Sequence, residues 1–379
     1  MQDTRSRSEI VLTPEEPYRY EMGPIRPPSE ATSLLLRVTR NCQWNRCLFC
    51  PVYKESEFSA RPVDHVLRDI DLIKRYTDFL DNPTDDVLIE EPLAYNSAIM
   101  WSGNRMKSVF LQDADSLVIG SENLSLILEH LKDNFPNIER VTSYSRSSTL
   151  NKMSVDDLAA LRESGLSRIH VGLESGSDNV LKMVRKGASK AIHIRAGMKV
   201  KSAGIELSEY FMPGLGGRKF SKEHALESAD ALNQIDPDFI RLRPLAFPIR
   251  APLYELMISG EFDRCNDVDV VKELHTFVAS LDGISSYLVS DHILNLFADL
   301  NGKLPEDKKF LIGILQRFLE LGESEQLLYR FGRRLGAFSS LDDLSDGSRI
   351  EKVNHIMLEN GVTSQNIDRL IDQMSQRFI

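Results

Sequence analysis

The chain has 379 residues, 42% of them hydrophobic and 27% charged, which suits an α/β barrel with an appendage better than one small domain. With 46 basic against 56 acidic residues the net charge is −10, which argues against a broad nucleic-acid surface. No run of about 18 apolar residues marks a membrane span, and the first residues carry charge without the apolar core of a signal peptide.

Residues 9–30 are rich in Pro and Glu and predict an extended N-terminal arm, taken as 1–32. Ser33–Arg40 is a short strand that runs into Arg40-Asn-Cys-Gln-Trp-Asn-Arg-Cys-Leu-Phe-Cys-Pro51. Three of the four cysteines, Cys42, Cys47 and Cys50, fall within this loop. Three thiolates leave a tetrahedral zinc site one ligand short, but they can hold three irons of a cubic [4Fe–4S] cluster and leave the fourth open. The rival reading is a zinc-binding structural or interaction protein on the same barrel, with Cys265 or a histidine as fourth ligand. One clustered trio and one odd cysteine do not make a disulfide framework, so a reducing, cytoplasmic setting is expected.

After the loop, Val63, Val66, Leu67, Ile70 and Ile73 keep helical spacing through Pro62–Leu80. Residues 81–107 have no clear period, so they predict either a lid or a hidden element, and with Tyr53 they are expected near substrate. The strand–loop–helix unit then repeats. Ser108–Leu111 leads into the acidic loop Gln112–Asp115 and a helix over Glu122–Phe135. Arg140–Tyr144 precedes a helix at Val155–Ser164, and Arg168–Leu173 precedes helices at Asp178–Arg185 and Lys190–Ser202. Ile205–Met212 ends in a glycine loop before a helix at Lys222–Gln234, and Phe239–Arg243 is a sixth strand. The glycine loop lacks the Lys-Ser/Thr of a phosphate loop and reads as a turn. Six such units predict a parallel sheet closing into a partial (β/α)6 TIM-like barrel over 33–262. From residue 263 strand signals fade and helices are expected, giving a C-terminal helical region over 263–379.

In such barrels the reactive groups gather on loops at the carboxyl ends of strands, where every unusual loop here falls. Arg241 and Arg243 alternate along the sixth strand, so both could face an anionic substrate inside the barrel. His170 reads as structural, and in Ser290-Asp-His-Ile293 the acid and imidazole are chain neighbours that need not meet.

Cys42-x4-Cys47-x2-Cys50 after a first strand, with Phe49 before the last cysteine, resembles the radical S-adenosylmethionine superfamily. Glu174-Ser-Gly-Ser-Asp-Asn-Val-Leu-Lys-Met-Val-Arg-Lys-Gly187 is similar to the fourth-strand signature of a branch containing oxygen-independent coproporphyrinogen oxidases and methylthiotransferases. The resemblance implies a [4Fe–4S] cluster on Cys42, Cys47 and Cys50, with S-adenosylmethionine chelated at the open iron. It also implies a reduced flavodoxin or ferredoxin-type electron donor. It places Phe49 near the adenine, Gln112, Asp113 and Asp115 near the methionyl amine, Glu174 at the ribose, Lys186 at the methionyl carboxylate and Arg146 as a further cofactor contact. The loop departs from the commonest spacing by one residue, and Gln112-Asp-Ala-Asp115 replaces the family's Gly-Gly-Glu. Asp113 and Asp115 as helix caps, and Lys186 as a solvated helix end, are the plain alternatives. Only Cys265 remains for an auxiliary cluster, so a methylthiotransferase is excluded and the substrate stays open.

Overall fold

A computed structural model describes residues 17–84 and 87–376. The first sixteen residues of the expected arm, and residues 377–379, lie outside the described residues.

The sheet has eight strands in the order β1 (Leu34–Arg37), β4 (Ser108–Gln112), β5 (Arg140–Ser145), β6 (Leu166–Glu174), β7 (Glu206–Phe211), β8 (Phe239–Leu242), β9 (Tyr287–Val289) and β10 (Gly302–Lys303). The first seven pair in parallel and β10 turns back antiparallel on β9, so β1 and β10 are open edges of a partial barrel. Two-residue strands β2 (Thr39–Arg40) and β3 (Ser59–Ala60) pair with each other and close the stem of the cysteine loop. The six expected parallel strands are all present. The sheet continues past them, because β9 and β10 fall in the stretch expected to be helical. Strands of two or three residues carry no readable alternation.

Side chains alternate across the sheet. Leu34, Leu36, Val109, Leu111, Val141, Ile169, Val171 and Leu207 face out and share a core with helices α1 (Val63–Asp81), α3 (Ser121–Asn134), α5 (Val155–Ser164) and α7 (Lys190–Ser202). In α1 the residues meeting this core are Val66, Ile70 and Ile73, at the i, i+4, i+7 spacing that puts them on one face. Ile70 is wholly buried, and Ile70→Ala would cost about 2–5 kcal/mol. The other half of the sheet packs on α8 (Gly217–Ile235), α10 (Asp267–Ser280), α11 (Lys308–Glu320) and α12 (Glu323–Arg334), around Phe211, Phe277, Phe318 and Tyr329. Helices after residue 262 thus share one core with the sheet.

Residues 81–107 hide helix α2 (Pro92–Gly103), which packs on α1 and β1. Its buried positions are Ala94, Ala98 and Trp101, again i, i+4, i+7, but two alanines make that stripe faint while Leu93, Ile99 and Met100 lie exposed. Trp101 Nε1 donates to the carbonyl of Ser108 at 2.8 Å and fixes α2 to the start of β4. The remaining helices are α4 (Ser147–Leu150), α6 (Asp178–Met183), α9 (Pro252–Ile258), α13 (Gly347–Glu359) and α14 (Ile367–Ser375). No helix among the described residues is long and apolar enough to cross a membrane.

The arm crosses the barrel next to β1 and β4. Gln112, fully buried, accepts from the Gly23 amide at 2.8 Å and donates to the Ile25 carbonyl at 2.7 Å. Glu21 ion-pairs with Arg37, Arg40 and Arg61, and Arg61 is bonded in turn to buried Asp69. Glu30, fully buried, accepts from Ser33 and Arg140 and lies 3.6 Å from His170.

Candidate active site at the carboxyl ends of the strands

A cleft of about 1290 Å³, mouth included, opens where the strands end. It is lined by Cys42, Cys47, Phe49, Cys50, Arg146, Glu174 and Lys186 among others. Segments far apart in sequence converge there, as parallel strands with right-handed crossovers require.

The cysteine loop is anchored along its length. Asn41 and Asn45 take left-handed backbone conformations, with φ of 65° and 41°, which asparagine adopts more readily than most residues. The Asn41 amide donates to Asp113 at 3.1 Å, and Gln43 Nε2 donates to Asp115 at 2.7 Å. Trp44 Nε1 donates to the Arg185 carbonyl at 2.7 Å, while Arg46 and Arg146 each stand 5.1 Å from its ring centre. Leu48 exchanges backbone bonds with Val184 and Leu253. Asn45 also donates to the Tyr53 carbonyl. Such anchoring holds the three thiols against the chain's own entropy before any metal arrives.

Gln112, Asp113 and Asp115 do not line the cleft; of that loop only Ala114 does. Asp113 is buried against Arg37, 2.7 Å away, and Asp115 accepts from Ser145, Thr149 and Gln43. Burial pushes both carboxyls up, and their partners only partly offset it. Neither side chain caps the helical turn after it. Their hydrogen bonds run to the cysteine loop and the strand ends, so the sequence position that suggests an amine contact is filled here by loop supports.

Glu174 and Lys186 meet as a buried pair, Lys186 Nζ to Glu174 Oε1 at 3.1 Å. Burial works against the ammonium, but the Glu174 carboxylate and Cys47 together outweigh it and raise the Lys186 pKa. Lys186 is therefore not a solvated helix end. Glu174 ends β6 at φ 61°, a strained setting for a residue with a side chain, and its Oε2 is buried without a partner. The Phe49 ring lies 5.7 Å from Lys186 Nζ. Arg146 lines the cleft while donating to the Lys186 carbonyl at 3.0 Å. Ser177 accepts from the Val180 amide and caps α6, as a turn residue would.

Inward-facing positions of the strands build the floor. Phe110, Tyr144, His170 and Tyr210 pack ring to ring at 5.0, 5.9 and 6.2 Å. His170 is fully buried, and burial, aided by Arg241, depresses its pKa to about 4. Tyr53 lines the cleft as expected, whereas no described residue of 81–107 does, since α2 packs outside the barrel. The two arginines of the sixth strand divide. Arg241 donates to Ser208 and pairs with Asp291, while Arg243 lines the cleft. Asp291 and His292 diverge likewise, with His292 lining the cleft. Tyr210 and His193 also line it and were not anticipated; the period-two alternation of β7 marks Tyr210 as inward-facing, but nothing local marks His193.

The three thiols suit a cubane, whose cysteines bind different irons and need not converge on one point. A zinc site needs its donors on one ion, and among the described residues no three His, Cys, Asp or Glu side chains are so placed. Cys265 lies instead in a separate cavity under the C-terminal helices.

The Radical SAM superfamily profile matches residues 36–229, just over half of the chain. A curated relative, the tRNA uridine(34) acetyltransferase of Methanocaldococcus infernus, is 25% identical over 109 residues, covering 28% of this chain and 20% of that protein. The match thus spans about a fifth of the relative's length. Among solved structures, coproporphyrinogen III oxidase from Escherichia coli is similar at TM-score 0.43 and 14% identity, covering 63% of this chain and 50% of that one. The radical S-adenosylmethionine methyltransferase of Kitasatospora setae is similar at TM-score 0.42 and 15% identity, covering 60% and 39%.

Proposed function

The chain belongs to the radical SAM superfamily, a superfamily of enzymes, and on that premise we propose that it cleaves S-adenosylmethionine reductively to oxidise or modify an organic substrate. The observation that carries the reading is the meeting of Cys42, Cys47 and Cys50 with Phe49, Glu174 and Lys186 in one cleft.

In this reading Cys42, Cys47 and Cys50 hold a [4Fe–4S] cluster. When bound, the cluster supplies one electron to the sulfonium, giving methionine and a 5′-deoxyadenosyl radical that takes a hydrogen atom from substrate. The chain's own residues orient and enclose. Lys186 offers its ammonium to the methionyl carboxylate, and the unpartnered Oε2 of Glu174 accepts a ribose hydroxyl. Phe49 packs on the adenine, with Arg146 behind Lys186 as a second cofactor contact. Gln112, Asp113 and Asp115 serve indirectly, by holding the arm and the cysteine loop. The aromatic floor excludes water, which strengthens the polar contacts that orient the cofactor. A reduced flavodoxin or ferredoxin-type protein in a reducing cytoplasm is the proposed electron source.

Anaerobic reconstitution tests this. The expected result is about four irons per chain, and 5′-deoxyadenosine on reduction with dithionite in the presence of S-adenosylmethionine. An intact, reduced cluster that yields none would overturn the reading, and one zinc per chain with no iron would replace it.

A further inference from the structure

Beside the residues assigned to the cofactor, the cleft contains donors that complete no hydrogen bond among the described residues. Arg243 projects into it from the end of β8, and its guanidinium makes no hydrogen bond or ion pair among the described residues. Charged and titratable groups that act on it electrostatically include Tyr144, Glu174, Tyr210, Cys50 and His292. Glu174 is already committed to Lys186. Two residues earlier on the same strand, Arg241 is engaged by Ser208 and Asp291. The difference matters, because a guanidinium has five donors and half-buried ones are ordinarily engaged.

The hydroxyls of Tyr53 and Tyr210 are in the same condition. Their residues are 3% and 7% exposed and line the cleft, and neither hydroxyl completes a hydrogen bond, although Tyr53 stands near the Asp113 carboxylate and Tyr210 near the Tyr144 hydroxyl. A phenol gives one O–H, and burying it unpartnered costs about 1–3 kcal/mol. His292 adds an imidazole that burial and Arg243 keep neutral, with its pKa lowered to about 4. A site holding one free cation and two free hydroxyl donors is matched by an oxyanion, which is acceptor-only. Around them Ile25, Leu245 and Leu294 are apolar.

Resting on the function proposed above, we propose that Arg243, Tyr53 and Tyr210 bind the anionic head of the substrate, a carboxylate or a phosphate monoester, while its apolar body lies against Ile25, Leu245 and Leu294. A bidentate guanidinium contact would fix the head and so decide which carbon faces the radical.

The test uses anaerobically reconstituted protein with S-adenosylmethionine and ligand-observed NMR. Three probes share one ring: 3-phenylpropionate, its neutral counterpart 3-phenylpropan-1-ol, and phenyl phosphate. Wild type should bind an acid at least about tenfold more tightly than the alcohol, and the tighter of the two acids identifies the head. Arg243→Gln should erase that preference and Arg243→Lys should keep part of it, which guards against a misfolded variant. Equal binding of acid and alcohol by wild type would overturn the proposal. So would an Arg243→Gln protein that keeps the preference but no longer binds S-adenosylmethionine, since Arg243 would then serve the cofactor. Measuring 5′-deoxyadenosine from wild type in parallel separates the two readings. Acid preference without cleavage keeps the anion site and removes the radical reading, and cleavage without acid preference does the reverse.

Discussion

Gly172 leaves the space that Lys186 occupies: a Cβ on Gly172 would stand 2.8 Å from Lys186 Nζ and 2.3 Å from Glu174 Oε1. The ion pair therefore exists because the inward-facing residue of β6 beneath it has no side chain. Both threatened atoms are ends of flexible side chains, so Gly172→Ala should fold and displace the pair. The expected result is a loss of S-adenosylmethionine affinity of about tenfold, read by equilibrium binding to reconstituted protein, with little change in Tm. Unchanged affinity would remove Lys186 and Glu174 from the cofactor site.

Gly187 has a comparable relation to Trp44. At φ 77° it adopts the left-handed backbone, and a Cβ there would lie 2.4 Å from the Trp44 ring. Gly187→Ala should cost about 1–3 kcal/mol and push Trp44 off the Arg185 carbonyl. Since the other tryptophan, Trp101, is buried in α2, a red-shifted emission would report Trp44. Iron content per chain should fall with it, although no cysteine is changed. Full iron loading with a displaced Trp44 would mean that the loop does not need this anchor.

Glu21 gathers Arg37, Arg40 and Arg61 around one carboxylate, joining the arm to the stem of the cysteine loop. Glu21→Ala leaves Arg61, which has no exposed side chain, with Asp69 as its remaining carboxylate partner. A loss of about 2 kcal/mol is expected. Limited proteolysis should then cut within residues 17–27, well before the barrel. Equal resistance in variant and wild type would show that the other anchors, Gln112 and Glu30 among them, hold the arm without Glu21.

Stability should fall as pH drops below about 6.5. His170 is depressed to about 4 by burial, with Arg241 assisting, against the Glu30 carboxylate 3.6 Å away. His193 is depressed to about 3 by burial, Lys186 and Arg146. Between those values and about 6.5 the unfolded chain binds protons that the folded one refuses, so each histidine withdraws up to about 1.4 kcal/mol per pH unit on acidification. Urea midpoints at pH 7.0 and 5.5 measure it. His193→Asn should show a shallower decline than wild type, and parallel declines would mean that His193 is protonated in the fold.

The cysteine trio, the βα rhythm and the Glu174–Gly187 segment were legible in the sequence because each is local. Cysteines on one loop have a spacing, and a strand or amphipathic helix has a period. Helix α2 escaped because two of the three residues in its buried stripe, Ala94 and Ala98, are too small to register as hydrophobic periodicity beside Trp101. Strands β9 and β10 escaped because three and two residues hold no period. Asp113 and Asp115 illustrate the remaining boundary. Their place after a strand suggested a ligand contact, but only the fold brings Arg37, Ser145 and Thr149 to them and turns them into supports. Arg241 and Arg243 look equivalent as a sequence pattern. What separates them is Asp291, 50 residues on, which β9 carries to the one and not the other. Local spacing determined the chemistry this chain can host, and strand pairing across distant segments decided which charges are spent on the fold and which remain free for a ligand.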